Sequence, residues 1–80
     1  MTKTKRSLEE IVSAVLQVAV EDVVDEATPE TLKSWNSLNH VHVVLAIEEV
    51  FGVRFSAEEI SSVRRIADFR RVLRKSGITS

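Results

Sequence analysis

Leu8, Ile11, Val12, Val15, Leu16 and Ala19 recur at the spacing of an amphipathic helix with one apolar stripe. Ser7 and Glu10 stand where a capping box would open it, so the pattern predicts a first helix over about Leu8–Ala19. From Val20 to Trp35 the period lapses into Glu21, Asp22, Asp25, Glu26 and Thr28-Pro29. Here a long ordered loop is expected, anchored by Val23, Val24 and Leu32, with one helical turn opening at Pro29. A second helix should start on Asn36 or Ser37 as cap and run to Phe51, where Gly52 supplies a left-handed stop. Its expected buried positions are Leu38, Val41, Leu45 and Phe51, flanked by Val44 and Ile47. An extended link with Val53 and Phe55 leads to a second capping box, Ser56 and Glu59, and a short third helix through Ile60. The last helix is expected over about Val63–Lys75, with Val63, Ile66, Phe69 and Leu73 on one stripe, Arg74 and Lys75 near its negative end and Gly77 beyond it. The prediction is an all-α four-helix bundle with three longer helices, a short third helix and a long first connection.

The 80-residue length allows one domain, 1–80, with flexible ends at about 1–6 and 77–80. A chain this short buries only about 60% of its unfolded surface, so its core is thin. With no cysteine, it has neither disulfides nor thiolate metal sites. No run approaches the ~18 apolar residues of a membrane span. The basic start Met-Thr-Lys-Thr-Lys-Arg continues into Ser-Leu-Glu-Glu, where a signal peptide would turn apolar, so the chain reads as cytoplasmic. A net charge of −1 is far from the balance of a dedicated nucleic-acid binder.

Several residue pairs could suggest chemistry. His40 and His42 diverge by about 200° on a helix and cannot share a metal ion. Ser37 and His40 lie on one face, as a hydrolytic dyad would, but no third group is evident to orient the imidazole; a capping serine and a surface histidine explain them as well. Glu48-Glu49 and Glu58-Glu59 are adjacent and point apart, as on a solvated face. Arg54, Arg64, Arg65, Arg70, Arg71, Arg74 and Lys75 make the C-terminal half basic and leave a basic-helix nucleic-acid binder as a minor reading. Ser37, at the mouth of an amphipathic helix, is the position where an esterified phosphate would meet unpaired N–H groups and the positive dipole end.

Trp35-Asn36-Ser37-Leu38-Asn39-His40-Val41 runs into Ala46-Ile47-Glu48-Glu49-Val50-Phe51-Gly52-Val53. From Leu8 to Leu73 the chain resembles the acyl carrier proteins, whose Asp-Ser-Leu motif precedes an apolar helix ending in a Glu-Glu-x-Phe-Gly-like stretch. The resemblance implies a carrier and not an enzyme. A phosphopantetheinyl transferase would attach 4′-phosphopantetheine to Ser37, between Asn36 and Leu38, and the arm's thiol would carry acyl groups of a fatty acid, polyketide or related pathway. Acyl-loading, acyl-modifying and acyl-transferring enzymes would be its partners, met by Asn39, His40, His42, Glu48 and Glu49 on a monomer. The acyl chain would lie between helices two and three, among residues drawn from Val44, Leu45, Ile47, Phe51, Phe55, Ile60 and Ile66. Two departures mark a specialised member: Asn36 replaces the usual aspartate, and helix two lacks the family's acidic first turns. The alternative is a carrier-like interaction module that is never modified.

Overall fold

Both capping boxes form. In the computed structural model, which describes residues 7–78, four α-helices and no strand occur among the described residues: α1 (Leu8–Leu16), α2 (Ser37–Phe51), α3 (Ala57–Ser62) and α4 (Ile66–Lys75). At the start of α1 the Glu10 N–H donates to Ser7 Oγ and the Ser7 N–H to Glu10 Oε1, both at 3.2 Å. Leu8, Ile11, Val12 and Leu16 form its buried stripe, but the helix stops at Leu16 and leaves Ala19 exposed. Gln17 takes a left-handed φ of 58°. The Val18 N–H then returns to Ser13 O at 3.2 Å, and the Ser13 hydroxyl donates to Val18 O at 2.6 Å. Glycine usually marks this closing turn, and its absence at position 17 hides the stop in the sequence.

The connection to α2 contains a 3₁₀ turn at Val20–Asp22 that the spacing did not predict. The expected turn at Pro29 is present, closed by the Leu32 N–H on Thr28 O at 2.8 Å. Val23 and Leu32 are buried as anchors together with Ala27 and Trp35, whereas Val24 is exposed. The loop also finishes the helices around it. Its Ala27 and Asp25 carbonyls accept from the Ile66 and Ala67 N–H groups at 3.2 and 3.1 Å, filling two of the unpaired donors that open α4. The Ser34 hydroxyl donates to Leu16 O at 2.7 Å at the end of α1. Arg70 binds Glu9 at 2.6 Å and Asp25 at 2.9 Å, tying α1, the loop and α4 together. Burial pushes the Glu9 carboxyl up, but the Arg70 hydrogen bond and charge hold it below the ordinary glutamate value.

α2 has the expected ends, with Gly52 at φ 69° donating to Glu48 O at 2.9 Å. Its orientation is not the expected one. Val43, Val44 and Ile47 are buried, while Leu38, Val41 and Leu45 are 66%, 47% and 55% exposed and Phe51 is half-buried. The helix is apolar on two sides, so spacing alone offered two stripes, and the one that includes His40 faces inward.

α3 opens on its capping box, with Ser56 N–H to Glu59 at 2.8 Å and Glu59 N–H to Ser56 at 3.0 Å. α4 starts at Ile66, after the predicted Val63, because Asp68 Oδ2 accepts from the Arg64 and Arg65 N–H groups at 2.8 and 3.1 Å and fixes the first turn there. Val63 is still buried, from extended backbone ahead of the helix. Burial of Asp68 raises its pKa, but those two N–H groups and the Arg71 guanidinium outweigh it and hold the carboxyl below the ordinary aspartate value. Of the ends expected to be flexible, 1–6 and 79–80 lie outside the described residues. The Gly77 N–H donates to Arg74 O, and the Ile78 N–H to Leu73 O, each at 2.9 Å.

The turn of α2 is checked by a pair of alanine variants. Leu45→Ala should change unfolding stability by no more than about 0.5 kcal/mol, whereas Ile47→Ala should cost about 2–5 kcal/mol, both read from urea denaturation. For Asp68, the folded pKa lies below the unfolded one. Its stabilisation is therefore complete above the unfolded value, about 3.9, and is lost as pH falls through the depressed folded value. Asp68→Asn should be about 1 to 2 kcal/mol less stable at pH 7, and the gap to the parent should narrow as denaturation is repeated at successively lower pH.

Candidate functional site

The site is built around the start of α2. Trp35, the last loop residue before the cap, is 4% exposed. Its ring stacks on Phe69 of α4, with centroids 5.8 Å apart, and on His40, 6.1 Å away. Phe55 meets the edge of Phe69 at 6.2 Å. The indole Nε1–H donates to His40 Nδ1 at 3.1 Å, and His40 Nε2 lies 2.8 Å from Ile60 O on α3. Indole N–H can only donate and a carbonyl can only accept, so the imidazole is neutral with its proton on Nε2. His40 is thereby half-buried and bridges the loop, α2 and α3, which corrects the surface position expected for it. Turning it aside would break both hydrogen bonds, each of which contributes about 0.5–1.5 kcal/mol.

Asn36 is the cap. Its Oδ1 accepts from the Asn39 N–H at 2.9 Å, while the Asn39 amide donates to Ser34 O at 2.8 Å. Ser37, relieved of capping, is the first residue of the helix and is exposed, and its hydroxyl has no hydrogen-bond partner among the described residues. It opens onto a cleft of about 550 Å³ lined by Pro29, Trp35, Asn36, His40, Ile60, Ser61 and Val63. Of the residues expected to line an acyl site, Ile60 is here. Val44, Ile47, Phe55 and Ile66 are in the core, Phe51 is half-buried and Leu45 faces out. The spacing gave no hint of Trp35 and His40 as walls of this cleft, since their contact depends on how the loop enters α2.

The arrangement does not support hydrolysis. His40 Nδ1 accepts from Trp35 and Nε2–H donates to Ile60, so the imidazole has no lone pair to offer Ser37. No cluster of three or more His, Asp or Glu able to hold a metal ion occurs among the described residues. No helix among the described residues is long and apolar enough to cross a membrane. Part of the basic C-terminal half is neutralised within the fold, with Arg70 on Glu9 and Asp25, Arg71 on Asp68 and Lys75 on Glu59. Among the residues expected to meet partners, His42 and Glu49 are exposed. Glu48 instead accepts from the Phe55 N–H at 2.8 Å, and Asn39 and His40 are held by the contacts above.

No family model matches the chain. It is 29% identical over 72 residues to the acyl carrier protein of Buchnera aphidicola subsp. Schizaphis graminum (strain Sg), in an alignment spanning 86% of this chain and 91% of that protein. The chain is thus similar to an acyl carrier protein along most of its length. Similarity to an acyl carrier protein over most of both chains supports a carrier and not an enzyme.

Proposed function

We propose that this acyl-carrier relative is a discrete, monomeric carrier of the cytoplasm, a single domain over 1–80 that holds acyl groups on a 4′-phosphopantetheine arm esterified to Ser37. The observation that supports this best is the division of labour at the start of α2: Asn36 takes the cap and Ser37 is left exposed, its hydroxyl unbonded among the described residues. The residues present fit such an arm. Ser37 Oγ would form the phosphodiester, and the helix N-terminus, with its positive dipole end, would face the anionic phosphate. When bound, the arm supplies a thiol that holds an acyl group as a thioester, a role that no cysteine of the chain could fill.

The chain's own residues position and present. Asn36 and Trp35 set the direction of the first turn, and the cleft beside Ser37 gives the cargo somewhere to lie. The outer face of α2, with Leu38, Val41 and Leu45 exposed beside His42 and Glu49, is the surface for the transferase and for acyl-loading, acyl-modifying and acyl-transferring enzymes. The pathway is of the fatty acid, polyketide or related kind. The neutral start of α2 supports a specialised member with its own partners.

Incubating the chain with coenzyme A and a promiscuous phosphopantetheinyl transferase should add the mass of one phosphopantetheine. Ser37→Ala should keep the circular dichroism of the parent and abolish that gain; a gain persisting in the variant would move the attachment point elsewhere. No gain with several transferases would favour the unmodified interaction module.

Asn36→Asp should cap α2 as well as asparagine does while restoring the charge that a basic transferase meets. Charge-assisted hydrogen bonds exceed neutral ones by about 1 kcal/mol or more, so kcat/KM with a generic transferase should rise about tenfold at low salt. The advantage should shrink as ionic strength increases. Equal rates at all salt concentrations would show that position 36 is not read through its charge.

A further inference from the structure

α2 and α3 are pinned together at the cleft onto which Ser37 opens. His40 on α2 hydrogen-bonds Ile60 O on α3 at 2.8 Å and accepts from the buried Trp35 indole at 3.1 Å. Behind that pair stands Phe69, fully buried, stacked on the indole and tilted by 32° against the imidazole. The cleft in front of it is open and of mixed character, with Trp35, Ile60, Val63 and Pro29 against Asn36, His40 and Ser61.

We infer that the Trp35–His40–Ile60 contact makes this carrier selective for short acyl groups held in the surface cleft, and closes its interior to long saturated chains. The inference rests on the carrier reading above. A short acyl group can lie against the indole edge, Ile60 and Val63, with any polar substituent reaching Ser61 or Asn36, while the pins stay made. A long chain gains only its own burial per methylene, and to enter it must first part both hydrogen bonds and put hydrocarbon where the indole N–H and the Ile60 carbonyl need partners. Trp35 and His40 are therefore specificity-determining residues that act by closing a path.

The absence of cysteine from the chain allows a test that needs no transferase. The full-length Ser37→Cys protein is alkylated with N-alkyl iodoacetamides, the thiolate sulfur displacing iodide, in a series from about two to sixteen carbons. Tm and the emission of Trp35, the single tryptophan, are then measured. Short chains should alter the emission and raise Tm by about 4–8 °C, after which Tm should stay level as the chain lengthens. In the same protein carrying His40→Ala, the rise should continue through twelve carbons. Trp35→Phe, which keeps a ring but removes the N–H, serves as the second background and is followed by Tm alone, so the result does not hang on one variant's folding. A Tm that climbs with length as steeply in the parent as in the variants, or a plateau that survives in both, would overturn the inference. Failure of the transferase to add mass to Ser37 would fell the carrier reading without changing what the alkylation series reports.

Discussion

Trp35 decides where α2 starts and which way it is turned. Its indole packs against Phe69 and His40, whose own rings lie 5.8 Å apart, and its only polar side-chain atom is bonded to the imidazole. An aromatic ring buried this fully is among the largest apolar contributions available to a thin core. Once it is seated, the next residue has extended backbone and caps the helix, the following serine points out, and His40 points in. The burial of Val43, Val44 and Ile47 and the exposure of Leu38, Val41 and Leu45 follow from the same rotation.

The rest of the fold shows how a small core is completed by polar contacts at chain ends. The loop between α1 and α2 is not a slack connector, since its carbonyls close the N-terminus of α4 and its Ser34 closes the C-terminus of α1. Asp68 does the same work from inside α4, reaching back to two N–H groups ahead of the helix, and Arg70 gathers two acids from elements far apart in sequence. Among the described residues no buried side-chain nitrogen or oxygen is left without a partner, which matters because each orphan would offset a sizeable share of a small domain's stability.

These contacts also explain what could be read from the sequence. Helix starts signalled by a side chain three residues from its partner, Ser7 with Glu10 and Ser56 with Glu59, were legible because the cap is local. The end of α2 was legible because Gly52 is there to take a positive φ. The end of α1 was not, because Gln17 adopts that conformation with support from Ser13, and neither residue type announces it. α4 was predicted to begin at Val63 because that valine continues the apolar stripe. Burial there comes from the link and not from the helix, and the decisive residue, Asp68, reads in sequence as one more surface acid. The inner face of α2 was hidden for a related reason: its first inward residue is a histidine, which a pattern of apolar positions counts as polar. At the site, Ser37 and its motif were legible, and the rings that wall its cleft were not.

A histidine on an inward face usually weakens a core, since an imidazole gives less apolar area than leucine and brings two nitrogens that need partners. Here both nitrogens are satisfied within the fold, by the Trp35 N–H and a carbonyl near the end of α3, so the polar cost is offset pairwise. A leucine in the same place would offer neither of these groups a partner. The trio therefore joins α2 and α3, and moving any one member alone breaks at least one of its two hydrogen bonds. That is what sets a histidine pin apart from an apolar contact at the same position: apolar side chains can slide apart around an entering hydrocarbon and remake equivalent contacts with it, whereas a hydrocarbon cannot replace a hydrogen bond.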